Sequence, residues 1–174
     1  MTQEEKSLLL QDLCTRLPYD VKGRVYAETT NGTYDINGDM IFFDSPFDVI
    51  LDEINISTEE LHVIAIGNED TIDFIEDQQV CGSPFTIYDF KPYLRSMSSM
   101  TEKERDEFED ESNCWFFVNE DGEIYPMGRL TNSEQFECGI LSGFRYLLEN
   151  HFDYHDLISK GLALEAPEGM YKIK

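Results

Sequence analysis

Positive charge is what this sequence has least of. Thirteen Lys and Arg stand against 36 Asp and Glu in 174 residues, a formal net charge of −23. Binding a nucleic-acid backbone or an anionic membrane needs clustered Lys and Arg that displace counterions, so this balance argues against both partners. Long apolar runs are missing too. The longest, Cys114–Val118, has five residues, whereas a spanning helix needs about 20. The four cysteines, Cys14, Cys81, Cys114 and Cys138, include no C-x-x-C pair and read as buried structural thiols of a reducing compartment. The start carries Glu4, Glu5 and only a Leu8–Leu10 triplet, which lacks the basic and apolar parts of a secretory signal. The expected location is cytoplasmic. The phosphate loop G-x-x-x-x-G-K-[ST], the dinucleotide fingerprint G-x-G-x-x-G, the G-x-S-x-G elbow and the H-E-x-x-H zinc motif are all absent. No internal repeat or low-complexity linker is present.

What remains is enough to fold. Apolar residues make up 41% and aromatics 13%, far from the composition of disordered acidic chains. One compact domain over residues 1–174 is expected, with two sub-parts, 1–95 (helix plus β-rich) and 96–174 (mainly helical with one hairpin). The predicted class is α+β: an N-terminal helix, an antiparallel β-meander or small open barrel, then C-terminal helices with a further hairpin.

Thr2 and Glu5 form a capping box, and Leu10, Leu13, Cys14 and Leu17 follow at helical spacing until Pro18 stops the helix. Between Val21 and Arg95 the segments Val21–Thr29, Met40–Phe43, Val49–Ile56, Leu61–Ile66, Thr71–Ile75 and Phe85–Phe90 read as strands. Asn31-Gly32 and Asn37-Gly38 mark turns, the first joining two antiparallel strands. Pro84 and Pro92 point to strand starts or edges. Thr101 with Glu104 opens a helix holding seven acids between Glu102 and Glu111, anchored by Phe108 alone. Trp115–Val118 and Glu123–Tyr125 read as a hairpin around Asp121-Gly122. Thr131 with Glu134 opens a third helix with the stripe Phe136, Ile140, Phe144, Leu147 and Leu148, on which Gly139 and Gly143 suit close packing against a strand or an aromatic. Asp153 is expected to cap a short last helix through Tyr154, Leu157 and Ile158, with Lys160 in its final turn and Gly161 as its left-handed stop.

Few residues suggest chemistry. His151 and His155, with Asp153 and Asp156, are spaced to offer two imidazoles to a metal if one helix carries both; a helix beginning at Asp153 would separate them. Asp35, Asn37 and Asp39 invite comparison with a calcium loop, but the glycine is misplaced and position twelve is Pro46 instead of glutamate. Cys114 or Cys138 with His151 is the formal nucleophile and base pair. No cofactor is implied. The strip Phe90–Met100 gathers bases, aromatics and methionines in an acidic chain, which makes Lys91, Tyr93, Arg95, Met97 and Met100 candidates for partner contact.

The run Phe90–Glu104, together with Thr2–Pro18 and Gly161–Lys172 (GLALEAPEGMYK), resembles uncharacterised proteins of gut Bacteroidales genomes and their prophage-like elements. The resemblance implies a cytoplasmic bacterial or phage accessory protein. Its motifs carry no catalytic residue, and Thr30 to Gln79 takes no part in it. Three functions follow in order: a non-enzymatic acidic module that binds a cytoplasmic protein, a nucleic-acid mimic that occupies the groove of a basic DNA-binding protein, and a small metal-dependent hydrolase using His151 and His155.

Overall fold

The computed structural model describes residues 1–26, 32–34, 40–42, 46–58, 60–65, 85–113, 116–126 and 133–171. The class is α+β, and the chain forms two compact units. One comprises Met1–Tyr93 with Leu162–Leu164, the other Leu94–Gly161 with Glu165–Lys174.

The first unit opens with helix α1 (Gln3–Arg16), whose capping box is present: Glu5 N donates to Thr2 Oγ1 at 3.2 Å and Thr2 N to the Glu5 carboxylate at 2.7 Å. Its buried face differs from the expected stripe. Lys6, Leu9, Asp12, Leu13 and Arg16 are buried, while Leu10, Cys14 and Leu17 are half-buried. The cause is an ion pair on the inner face. Arg16 Nε lies 2.6 Å from Asp12 Oδ2 and Nη2 lies 3.1 Å from Oδ1, with both side chains fully buried. A pattern that counts only apolar residues rotates the helix away from such a pair. Pro18 ends α1 as expected, inside a 3₁₀ turn at Leu17–Tyr19.

Strands β1 (Lys22–Val25), β4 (Phe47–Asn55), β5 (Glu60–Ala65), β6 (Phe85–Thr86), β7 (Phe90–Leu94) and β10 (Leu164–Glu165) form a sheet in the order β10-β7-β1-β4-β5-β6. The pairings β1 with β4 and β7, β4 with β5, and β5 with β6 are antiparallel, as the turn spacing predicts. Strands β2 (Gly32–Tyr34) and β3 (Met40–Phe42) make a separate antiparallel pair.

Three expectations change here. Gly32 pairs with Phe42 inside the β2–β3 ladder, so it is a strand residue and the connection is 35–39. That span holds Asn37-Gly38 and the acids compared with a calcium loop, and it lies outside the described residues, as do Thr71–Ile75 and Pro84. The expected strand Phe85–Phe90 is broken by a turn, because the Asp89 carboxylate accepts from Thr86 N at 3.0 Å and from its hydroxyl at 2.6 Å. Pro92 stands in mid-strand, opposite Gly23. Tyr26 N donates to Asp89 O at 2.7 Å, and the alternation of an antiparallel ladder then makes the Gly23–Pro92 pair a non-bonded one, where β1 asks nothing of the missing N–H.

In the second unit, helix α2 (Glu102–Glu111) follows its expected capping box. Strands β8 (Phe116–Val118) and β9 (Ile124–Pro126) form the expected hairpin, with Gly122 at φ 85° in its turn. A Cβ on Gly122 would lie 2.6 Å from Ser98 N and 2.7 Å from Met97 C, so only glycine lets the hairpin turn press against the 3₁₀ turn Met97–Ser99. Met100, Phe108, Val118, Tyr146, Leu147 and Phe152 form the core.

Helix α3 (Ser133–Glu149) contributes Tyr146 and Leu147 to that core, but its expected stripe is only partly buried. Phe144 is exposed and Ile140 half-buried, while Gly139 and Gly143 are buried. The stripe is displaced because a glycine lets the neighbouring helix come close: a Cβ at Gly143 would sit 3.3 Å from the Phe108 ring. The proposed cap Thr131 and the side chain of Phe136 lie outside the described residues.

The last expected helix is a run of turns. Asp153 accepts from Leu157 N and Ile158 N, both at 2.8 Å, and the left-handed residues His151 and Asp156 interrupt any helical path at φ 58° and 54°. Gly161 is left-handed as expected, at φ 69°.

Gly23 gives a direct test of the first unit's packing, since its absent Cβ would fall 2.3 Å from the buried Phe90 ring. Gly23→Ala should destabilise by about 1–3 kcal/mol, the usual cost of overpacking, seen as a lower melting temperature. Phe90→Leu in the same chain should recover part of the loss, and additive losses would contradict this packing.

Candidate functional site

A cluster of polar residues in the second unit is held by an ion pair whose carboxylate is buried. Glu104, the third residue of α2, is 1% exposed and meets Arg95 in a two-point contact of 2.7 and 3.1 Å. Its second oxygen also accepts from Thr101 N and Thr101 Oγ1, both at 2.8 Å. The Arg95 guanidinium lies over the Phe152 ring at 4.2 Å. Burial alone would push the Glu104 carboxyl up, but the bonds from Arg95 and Thr101 outweigh it and hold the carboxyl below its ordinary range.

Around this anchor the backbone closes a hollow. Arg95 N donates to His151 O and Asp153 N donates to Arg95 O, each at 2.8 Å. A cavity of about 560 Å³ opens there, walled by the 96–98 turn, the 121–124 hairpin turn, the 153–159 turns and Glu165. Five carboxylates line it, Asp121, Glu123, Asp153, Asp156 and Glu165, and no Lys, Arg or His among the described residues does. Asp153 is committed to the backbone of Leu157 and Ile158. Glu123 accepts from Tyr125 and Asn119, and those bonds keep its carboxyl below the ordinary range. The remaining lining is hydroxyl and apolar, with Ser96 and Ser98 bonded to each other at 2.7 Å. Such walls accept hydrogen bonds and attract cations.

A second polar cluster sits on the sheet of the first unit. Arg24 reaches Asp48 at 2.7 and 3.2 Å, and the Tyr93 hydroxyl donates to Asp48 at 3.0 Å. Burial first, then the bond to Asp48, pushes the Tyr93 phenol up to about 12. Burial and Glu107 likewise push Tyr146 up. Both phenols therefore stay protonated at neutral pH and act as donors to carboxylates.

The sequence-derived candidates are scattered. His151 and His155 do not share a helix face, because α3 ends at Glu149 and His151 turns the chain. His151 is buried and stacked on Tyr171 at 3.7 Å, whereas His155 leans on Tyr154 at 4.1 Å. Among the described residues no group of three His, Cys, Asp or Glu is placed to hold a metal ion. Cys138 is exposed, Cys14 half-buried with its thiol pushed up by burial, and Cys81 and Cys114 lie outside the described residues. Cys138 stands eleven residues before the end of α3, so about 16 Å of helix separates it from the turn that carries His151.

The contact strip is largely interior. Tyr93 and Met100 are buried, Lys91 and Arg95 half-buried, and Met97 packs against the second unit's core. The sequence reading missed Glu104 and Asp153 as organising groups. Glu104 carried a signal in its capping box, and only burial by Arg95 gave it the larger role. No family model matches the chain, and neither a curated protein nor a solved structure matches it.

Because the folded-state carboxyl of Glu104 is lowered, its pairing stabilises fully above about pH 4.3, the ordinary carboxyl value, and is lost as pH falls through the lowered one. Glu104→Ala, which strands a largely buried Arg95, is expected to cost about 3–5 kcal/mol. Glu104→Gln should also flatten the acid limb of stability measured by thermal melts across the acid range. An acid limb unchanged in the Gln variant would contradict this role.

Proposed function

We propose that this protein is a non-enzymatic interaction module that binds a basic protein partner. It is an accessory protein of the kind implied by the resemblance at Thr2–Pro18, Phe90–Glu104 and Gly161–Lys172. One observation carries the reading: among the described residues several of the scarce cations are held in ion pairs, while many carboxylates face outward. Arg16, Arg24, Arg95, Lys103 and Arg145 each sit within 4 Å of a carboxylate. Glu102, Asp106 and Asp110 are exposed on α2 and make none of those ion pairs. A surface of this kind speeds encounter with a basic partner and repels acidic ones.

One feature favours a second reading within the same class, a nucleic-acid mimic. Glu102, Asp106 and Asp110 recur every fourth residue, which stacks three carboxylates along one helix face with a rise of about 6 Å between neighbours. A row of evenly spaced negative charge is what a DNA-binding groove recognises in a backbone.

Affinity capture from a host lysate, eluted with a salt gradient, tests both. A basic protein should be retained at low salt and released as the Debye length shrinks to about 3 Å near 1 M. Replacing the row by Glu102→Gln, Asp106→Asn and Asp110→Asn should weaken retention about tenfold, near 0.5 kcal/mol for each charge. Displacement by double-stranded DNA would single out the mimic. Retention indifferent to salt and to the triple variant would refute the acidic module.

A further inference from the structure

Beside the acid-lined cavity the second unit holds an apolar cleft of about 50 Å³, between α3 and the β8–β9 hairpin. Its floor is Phe108, Phe116, Gly143 and Leu147, and Ile124 and Phe144 stand at its sides. These two are 39% and 43% exposed, and Leu141, one turn before Phe144 on α3, is 71% exposed. Single exposed apolar residues are ordinary, but here Leu141 and Phe144 share a helix face and Phe144 and Ile124 share one cleft. Ile124 also lines the neighbouring cavity with its five carboxylates. An apolar slot the size of one side chain therefore adjoins a cluster of acceptors that contains no cation among the described residues.

We propose that this cleft docks an amphipathic basic segment of a partner protein, one apolar side chain entering between α3 and the hairpin and its Lys or Arg neighbours reaching Asp121, Asp156 and Glu165. The inference rests on the acidic-module reading and gives it a place and a partner chemistry. Charge decides between occupants. A second copy would bring another −23 charges against the exposed Asp121, Glu123 and Glu137 beside the cleft, whereas a basic segment is attracted by them. Apolar anchors on a helix entering such a groove are a recurrent recognition mode.

The test uses two synthetic helical peptides of equal positive charge, one with Lys and Leu on opposite faces and one with Ser in place of each Leu. Fluorescence anisotropy on the full chain is expected to show the Lys/Leu peptide binding about tenfold more tightly, the effect of burying one leucine-sized side chain. Ile124→Ser should erase that margin. Leu141→Ser, at a site too exposed to affect folding, should reduce it. Equal affinity of both peptides for the unaltered chain, with salt dependence kept, would overturn the cleft and leave the acidic module standing. Failure to bind either peptide would overturn both. A margin preserved in both variants, or a dimer in sedimentation equilibrium that Leu141→Ser dissociates, would also overturn the assignment to a basic partner at this cleft.

Discussion

The second unit depends on one buried ion pair, Arg95 with Glu104. Taking two charges out of water costs several kcal/mol per ion, so such a pair persists only where further bonds satisfy both groups. Both are satisfied here. Glu104 receives two bonds from its own helix cap, Thr101, and Arg95 lies over Phe152 while its backbone bonds to the 151–153 segment. The start of α2, the strand at 94–95 and the turns after α3 are thereby fixed to a single point. The walls of the acid-lined cavity follow from it, since Asp153, bonded to Arg95, in turn organises Leu157 and Ile158.

The same economy of positive charge runs through the first unit. Arg16 is buried with Asp12, and Arg24 is held by Asp48 with Tyr93 behind it. With so few cations, each one placed in the fold removes compensation from the surface, and the remaining carboxylates are left to interact with solvent or with a partner. The proposed function rests on that distribution. Acceptor-lined and apolar hollows adjoin at Ile124.

Local signals in the sequence were legible where a few adjacent residues settle the geometry. The capping boxes at Thr2 and Thr101, the stop at Pro18 and the Asp121-Gly122 turn all form as read, because each is a contact between residues at most a few positions apart. The faces of α1 and α3 were misread. A hydrophobic stripe locates the buried face only when that face is apolar, and here Asp12, Arg16, Gly139 and Gly143 occupy it. Asp153 has the chemistry of a helix cap, yet the residues after it, to Gly161, form turns instead of the expected short helix. Its carboxylate instead serves Leu157 and Ile158, four and five residues on.

By itself, then, the sequence determined the α+β class, the antiparallel order of neighbouring strands and the net negative charge, since these depend on composition and on short-range spacing. Tertiary structure alone decided that Tyr93 and Met100 lie inside and that Ile124 joins an apolar cleft to five carboxylates. Those outcomes bring together residues tens of positions apart. Only the closing of elements over a shared core fixes them, and no local pattern encodes that distance.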